Sequence, residues 1–323
     1  MQLIDFYHNT TPLPNTVATI GFFDGVHCGH RFLFDNFKNI ATEKNLKTLV
    51  VTFREHPSKV LQLSTEKKLL TTFVEKMELL GKAGIDFCLV IDFSEAIANL
   101  SAADFIQLLH QQFAVNTLLV GYDNRFGHSR LERFEDYRNI GAQIGVEVLN
   151  ADAFILGKGL EISSSKIRHL LQNGNVETAN QLLGYRYSFD GKVVHGDELG
   201  RQIGFPTANL QLVDAEKILP LQGSFAVQVQ VDGQARRGMM NIGYKPTVKQ
   251  GLAKTIEVNI FDFDADIYDQ TISVTLLKKL RDEQKFSSLA ALKAQLEQDR
   301  ENAKPPKSPI GDFGGVQNRK FIK

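Results

Sequence analysis

The chain has 323 residues, with 37 Lys+Arg against 37 Asp+Glu and a formal net charge of zero. That length suggests about two domains, and the charge balance excludes a protein that coats nucleic acid or anionic membrane through clustered positive charge. Two cysteines, Cys28 and Cys88, exclude a disulfide framework or a four-cysteine zinc site and fit a reducing cytoplasm.

Residues 1–184 alternate short apolar runs with helical stretches. Strands are predicted over 17–23, 48–53, 87–91, 118–121 and 145–149, and helices over 30–43, 73–82, 102–113, 166–171 and 176–183. Such alternation predicts a parallel sheet covered on both faces. From Tyr185 onward the rhythm changes: 224–231, 255–263 and 271–277 alternate with period two, as antiparallel strands with one buried face do. One helix follows, with Leu289, Leu292 and Leu296 on one stripe behind Ser287 or Ser288 as N-cap. The second half therefore reads as a small antiparallel barrel or sandwich, 185–303, with a terminal helix. Residues 304–323, opening Lys304-Pro305-Pro306-Lys307-Ser308-Pro309, read as a flexible tail. The start, Met1-Gln2-Leu3-Ile4-Asp5, lacks the basic and apolar regions of a signal peptide. No window approaches the ~18 apolar residues of a membrane span, so a cytoplasmic protein without membrane or nucleic-acid partners is expected.

The most informative segment is Gly21-Phe22-Phe23-Asp24-Gly25-Val26-His27-Cys28-Gly29-His30, between a predicted strand and a predicted helix. Helix N-termini offer free amide N–H groups and a favourable dipole to anions. In parallel sheets, ligands bind beyond the carboxyl ends of strands. Gly25 and Gly29 permit close backbone approach. His27 and His30, three apart, can point the same way from a first helical turn. Two imidazole donors beside amides suit a triphosphate under attack at its α-phosphorus. A metal pair and two ordinary loop histidines are the alternatives; spacing offers no third metal ligand.

The second half carries no G-x-x-x-x-G-K-[ST], so a P-loop kinase is excluded. Glycines at 196, 200 and 204 lead into Phe205-Pro206-Thr207-Ala208-Asn209. They read as a mobile loop whose amides can approach phosphates, although barrel corners also need glycine. In 255–260 (TIEVNI), Ile256, Val258 and Ile260 share one strand face and Glu257 lies on the other. Taken alone, Glu257 reads as a solvent-face carboxylate.

The HxGH of residues 27–30 on a strand-to-helix turn resembles the nucleotidylyltransferase signature. The longer string GFFDGVHCGH resembles that of the prokaryotic bifunctional riboflavin kinase/FMN adenylyltransferases (FAD synthetases). In order along the chain, Thr52-Phe53-Arg54-Glu55-His56-Pro57 is similar to TFxPHP, Gly121-Tyr122-Asp123-Asn124-Arg125-Phe126-Gly127 to GxDFRFG, and Ile162-Ser163-Ser164-Ser165-Lys166-Ile167-Arg168 to ISSTxIR. In the second half, PTAN at 206–209 resembles the riboflavin kinase GxPTAN. Asn241-Ile242-Gly243-Tyr244-Lys245-Pro246-Thr247 resembles NIGxRPT, 255–263 the TxExxIxxF pattern, and Leu280-Arg281-Asp282-Glu283 the LRxE. The resemblance spans roughly 15–300.

The resemblance implies an α/β Rossmann-like nucleotidylyltransferase domain, then an antiparallel β-barrel riboflavin kinase domain with a terminal helix. It implies two reactions: riboflavin and ATP to FMN and ADP, then FMN and ATP to FAD and pyrophosphate, with Mg²⁺. His27 and His30 would bind ATP phosphates and stabilise the transition state. Ser164 and Arg168 would contact the β,γ-phosphates, and Gly21, Phe23, Asp24 and Gly29 would form the ATP-binding turn. His56, Asp123 and Asn124 would lie near FMN or the nucleotide. Gly196, Gly200 and Gly204 would approach the kinase ATP, Thr207 and Asn209 would supply oxygens to Mg²⁺ and phosphates, Glu257 would be the general base, and Arg281 would lie near the flavin or phosphate. A monomer or weak homo-oligomer is expected.

Three departures stand out: Asn124 replaces an aromatic, Asp269 stands where the family has Tyr-Gly, and Glu55 replaces a proline. The rival readings are an adenylyltransferase for another phosphate monoester with a degenerate kinase half, and a flavin-binding regulator without catalysis. Intact His27, His30, Arg168, Thr207, Asn209 and Glu257 weigh against both. A DNA-binding version would need a helix-turn-helix or a basic surface, and neither is visible.

Overall fold

A computed structural model describes residues 1–8, 12–60, 68–121, 126–127, 133–151, 155–156, 160–196, 199–247 and 251–304. The chain divides into two compact units: Met1–Tyr187 with Asp214–Leu219, and Ser188–Val213 with Pro220–Lys323. No helix among the described residues is long and apolar enough to cross a membrane.

The apolar runs of the first unit are strands of one parallel sheet: β1 (Gln2–Asp5), β2 (Thr16–Ile20), β3 (Lys47–Phe53), β4 (Phe87–Ile91), β5 (Val115–Val120) and β6 (Glu147–Asn150). Their order is β1-β4-β3-β2-β5-β6, with every neighbouring pair parallel. Alternation assigns their side chains to two cores. Val17, Val50, Cys88 and Leu119 face α1 (Cys28–Glu43) and α3 (Phe73–Lys82), while Ala18, Leu49, Leu89 and Leu118 face α5 (Ala102–Phe113) and α6 (Phe134–Ile144). Burial on both faces explains why the strands read as continuous apolar runs. Helix α1 presents Phe34, Phe37 and Ala41 to the sheet at spacings of three and four. The chain leaves β2 towards β3 and β4 on one side and places β5 on the other. The carboxyl ends of β2 and β5 therefore border a topological switch point.

The remaining elements of this unit are short α2 (Pro57–Val60) and α4 (Glu95–Ala98), the antiparallel pair β7 (Ile155–Leu156) and β8 (Leu160–Glu161), and helices α7 (Ser164–Gln172) and α8 (Val176–Leu183). The strand predicted over 17–23 stops at Ile20. Phe23, Gly25 and Val26 take φ of 55°, 79° and 37°, which ends extended backbone. Helix α6 escaped the sequence reading because it buries only Tyr137 and Gly141. Edge strand β1, four residues long, escaped it too.

Segment Asp214–Leu219 packs with the first unit although it follows the second unit's early strands in sequence. Leu69 N–H donates to Glu216 O at 2.7 Å, Ile218 N–H donates to Leu69 O at 2.9 Å, and Tyr187 Oη donates to Ile218 O at 2.7 Å. The Lys217 ammonium pairs with the Glu75 carboxylate and lies over the Tyr187 ring.

The second unit is a closed barrel of β9 (Ser188–Val194), β10 (Ala208–Leu212), β11 (Gly223–Val231), β12 (Gln234–Thr247), β13 (Gly251–Ile260) and β14 (Thr271–Arg281), in the order β10-β13-β12-β11-β14-β9. All six pairings are antiparallel. Phe225, Val227, Val229, Ile256, Val258, Val274 and Leu276 fill its core, as period two requires. Closure settles the choice between barrel and sandwich and removes exposed edges. Strand β13 ends at Ile260, short of the predicted 263, where Asp262 turns with φ 54°. A single turn, α9 (Leu199–Gln202), precedes β10, and α10 (Leu289–Ala303) follows β14 with Ser288 as N-cap. Of the expected leucine stripe of α10, Leu292 and Leu296 face inward onto a cavity against the barrel, with Leu296 packed on the core. Leu289, in the first turn, is 54% exposed, and Asp299 and Ala303 are the helix's fully buried residues, Asp299 being drawn inward by Arg281.

Lys217→Met keeps an apolar stem but strands Glu75 at a half-buried position. It should lower unfolding stability by about 2 kcal/mol, read as a lower urea midpoint with an unchanged slope. An unchanged midpoint would remove any structural weight from this pair.

Candidate active sites

The first site forms where β2 meets α1. His27 is the N-cap of α1, and its Nδ1 accepts from His30 N–H at 3.4 Å. The two imidazoles stack, with centroids 3.6 Å apart and planes 18° from parallel. The first turn of α1 carries no acidic residue, so its positive end is uncompensated by the chain. Burial pushes His27 down to about 4, with the Arg168 guanidinium adding to the effect. Burial first, and His27 second, hold His30 well below the usual range. Both rings are thus neutral at pH 7, and His30 Nδ1 is buried with no hydrogen-bond partner among the described residues. An approaching polyphosphate reverses that balance, because negative charge favours the imidazolium.

Beneath the histidines lies a buried ion pair. Arg168 Nη1 donates to Asp24 Oδ2 at 2.6 Å, with side-chain exposures of 10% and 3%. Asp24 Oδ1 also accepts from Leu70 N, Thr71 N and Thr71 Oγ1 at 3.0, 3.0 and 3.2 Å. Arg168 Nη2 donates to Ser165 Oγ, and Ser164 Oγ donates to Asp24 O at 3.0 Å. The ISSS-x-x-R segment and the histidine turn, some 140 residues apart in sequence, are therefore one assembly. The Asp24 carboxylate is turned inward onto Arg168 and backbone amides. Gly21 ends β2 under the Phe23 ring, Phe23 sits edge-on to His30, and Gly29 lies in the first turn of α1. Gly25 is fixed by φ 79° and by space, since a Cβ there would meet Leu70 Cδ1 at 2.8 Å. His56 follows β3, its Nδ1 2.7 Å from Ser58 Oγ and its ring on Phe22. Asp123 and Asn124 lie outside the described residues.

The second site is a cavity of about 330 Å³ between the outward faces of the barrel strands and α10. Strand register builds its polar wall. Asn209 on β10 is opposite Glu257 on β13, Glu257 is opposite Asn241 on β12, Asn241 is opposite Ser224 on β11, and Ser224 is opposite Arg281 on β14. One rung thus carries five polar side chains across five strands, and all line the cavity with Thr207. Ser224 Oγ donates to Asn241 Oδ1 at 3.1 Å, and Asn259 Nδ2 donates to Pro206 O at 2.6 Å. The opposite wall is apolar, with Ile203, Phe205, Met239, Phe286, Leu292 and Leu296. Sequence reasoning found Thr207, Asn209, Glu257 and Arg281 but missed Ser224, Asn241 and Asn259. Their alternation with buried Phe225, Ile242 and Val258 was the available signal.

Arg281 Nε donates to Asp299 Oδ2 at 2.8 Å, and Gln295 Nε2 donates to Asp299 Oδ1 at 2.9 Å, which docks α10 against the cavity. Gly196 abuts Asn209: a Cβ there would lie 2.0 Å from Nδ2. Gly200 belongs to α9 and Gly204 follows it with φ 85°, so this stretch is partly helical rather than an open glycine loop. Among the described residues no group of three or more His, Cys, Asp or Glu could hold a metal ion. Among the oxygens the cavity offers are the Thr207 hydroxyl, the Asn209 amide and the Glu257 carboxylate.

Two departures are visible. Glu55 sits within 3.6 Å of Lys59. Asp269 takes φ 62°, the conformation that glycine adopts freely, and pairs with Lys192 at 2.8 Å.

Profiles of two families match the chain: FAD synthetase over residues 10–166 and riboflavin kinase over 183–305. A protein of Escherichia coli (strain K12) named bifunctional riboflavin kinase/FMN adenylyltransferase is 39% identical over 303 residues, 93% of this chain and 96% of its own. A protein of that name from Bacillus subtilis (strain 168) is 38% identical, covering 89% and 91%. A solved structure described as a macrolide-efflux protein from Streptococcus pneumoniae is 34% identical, covers 93% of this chain and 98% of that one, and superposes with a TM-score of 0.85.

Three outcomes follow from this geometry. Asp24→Asn leaves Arg168 buried and unpaired and should cost roughly 3 kcal/mol of unfolding stability; a denaturation midpoint equal to wild type would contradict the pairing. His27 is neutral in the folded protein below the pH at which the unfolded chain protonates. The unfolded state therefore binds more protons between about 4 and 6.5. Stability should fall as pH drops through that window, and His27→Gln should flatten the fall; an equally steep fall in the variant would sink the assignment. Asp269→Ala should destabilise by about 1 kcal/mol and Asp269→Gly should not; equal losses in thermal unfolding would rule out backbone conformation as the cause.

Proposed function

The chain belongs to the bifunctional riboflavin kinase/FMN adenylyltransferase family, and from that premise we propose how its residues divide the two reactions. The enzyme phosphorylates riboflavin with ATP to give FMN and adenylylates FMN with ATP to give FAD and pyrophosphate. We assign adenylyl transfer to residues 1–184 and kinase chemistry to 185–303, in line with the two family profiles. The observation that carries the assignment is the stacked His27–His30 pair at the strand switch point, with the oxygen-rich rung as its counterpart in the barrel.

In adenylyl transfer the FMN phosphate oxygen attacks the α-phosphorus of ATP. A new P–O–P link forms, the α–β link breaks, and pyrophosphate leaves. No protein nucleophile is needed, so catalysis is positioning plus charge stabilisation. His27, His30 and the N-terminal amides of α1 take the triphosphate. The Gly21, Phe23 and Gly29 backbone shapes their approach, and Asp24 acts by holding Arg168 and the turn in place. Ser164 and Arg168 address the leaving phosphates. His56, Asp123 and Asn124 border the flavin side.

In the kinase half Glu257 takes the proton from the riboflavin 5′-hydroxyl as that oxygen attacks the γ-phosphorus and ADP leaves. Gly196, Gly200 and Gly204 border the nucleotide, and Arg281 lies at the flavin end of the rung. Thr207 and Asn209 would hold Mg²⁺ through their side-chain oxygens together with the substrate phosphates, since this hard cation prefers oxygen ligands. When bound, the ion neutralises charge on the transferred phosphoryl group. We further infer a cytoplasmic enzyme, monomeric or weakly self-associating, with small-molecule partners.

A combined His27→Ala, His30→Ala variant should lose FAD formation by at least roughly 10²-fold while still accumulating FMN. Glu257→Gln should do the reverse, losing roughly 10²–10⁴-fold in FMN formation while converting supplied FMN to FAD. Chromatography of riboflavin, FMN and FAD over time reads both. FAD formation intact in the histidine variant, or full FMN formation in Glu257→Gln, would overturn the corresponding assignment.

A further inference from the structure

Lys76 lies on the core-facing stripe of α3 with Phe73, Met77 and Leu80, where a fourth apolar residue would ordinarily sit. It is 2% exposed. Its Nζ donates to Phe53 O at 2.8 Å, to Phe22 O at 3.2 Å and to Thr52 Oγ1 at 3.3 Å. Nζ also lies 4.1 Å from the centroid of the Phe22 ring. Phe22 belongs to the turn that delivers His27 and His30. Thr52 and Phe53 close β3 immediately before the Arg54-Glu55-His56-Pro57 loop. One ammonium therefore ties together the backbone exits of β2 and β3, on the side of the sheet where ligands bind.

None of its three hydrogen-bond acceptors is a carboxylate. A lysine core contact that served stability alone would be costly, because burying a cation without an ion-pair partner is unfavourable. Its neighbours with charge or a titratable proton are Asp24 on the histidine turn and Cys88 on β4. Beyond them lie His56, whose ring packs on Phe22, and Arg54, whose guanidinium lies over Phe73.

We propose that Lys76 is a positioning residue for adenylyl transfer, its ammonium clamping the histidine turn to the flavin-side loop that leaves β3. The proposal rests on the adenylyl-transfer reading of the first site. Burial pushes the Lys76 ammonium down to about 8, against a partial opposing pull from Cys88 and Asp24. The clamp is consequently charged at neutral pH and is lost as pH rises through that value. Arginine at this position keeps its charge throughout.

The test measures FAD formation from supplied FMN, with kcat and KM for ATP and FMN, from neutral into alkaline pH, using wild type, Lys76→Met and Lys76→Arg. FMN formation from riboflavin by the same samples controls for folding and for general pH effects. Wild type should lose FAD formation above about pH 8 relative to FMN formation. Lys76→Met should be lower in kcat by roughly 10- to 100-fold at neutral pH, as small misplacements are, and should lack the alkaline fall. Lys76→Arg should retain activity and move the fall to higher pH. A wild type with no such fall, a Lys76→Arg profile that coincides with it, or a Lys76→Met enzyme with wild-type kcat would each overturn the proposal. A wild type that makes no FAD at any pH would overturn the adenylyl-transfer reading itself.

Discussion

The buried pair between Asp24 and Arg168 is the contact on which the first site depends. Histidines placed on a turn with three departures into positive φ, at Phe23, Gly25 and Val26, need something to over-determine that turn. Asp24 does so by accepting from Leu70 and Thr71 on one side and Arg168 on the other. It fixes the position of α7 at the same time, because Ser164 donates to its backbone carbonyl. A buried ion pair contributes little net stability compared with well-packed apolar residues. What it supplies here is geometry, holding a guanidinium and two imidazoles in a common frame before any nucleotide arrives.

The electrostatics of the two sites are organised differently. In the first, the polar groups are buried: stacked imidazoles held neutral, a helix N-terminus with no acidic residue in its first turn, and a guanidinium paired with the Asp24 carboxylate. In the second, amides and hydroxyls share the cavity with Arg281 and with the carboxylates of Glu257, Glu283 and Asp299, the last paired with Arg281. The first arrangement suits attack by an anion that brings its own nucleophilic oxygen. The second suits attack by an alcohol, which must give up a proton.

Most of this was legible in the sequence where local and tertiary demands agree. Strands β3 and β4 and helices α3, α5 and α8 read correctly because their apolar period matches what they bury. The turn at 21–30 was legible because its glycines and histidines sit at one spacing on one helix start. Asp24 was harder: its partners Leu70, Thr71 and Arg168 lie far away in sequence, and nothing in the turn tells an inward carboxylate from an outward one. In α10 the leucine stripe was legible at Leu292 and Leu296, whereas the buried Asp299 was not, because its partner Arg281 lies on another element. Segment Asp214–Leu219 was beyond reach because its bonds run to Leu69, and periodicity carries no long-range pairing. Ser224 and Asn241 lay within reach, but only once β11 and β12 had a register against β13.

That register has an evolutionary consequence. Along β13 Glu257 alternates with core residues Ile256 and Val258, so a shift of one residue against β12 would carry the carboxylate into the core and an isoleucine into the cavity. Insertions or deletions within β12 or β13 are therefore excluded along the paired rungs that carry the polar wall. Diversity among such barrels should accumulate in loop length and stop abruptly where the polar rung begins.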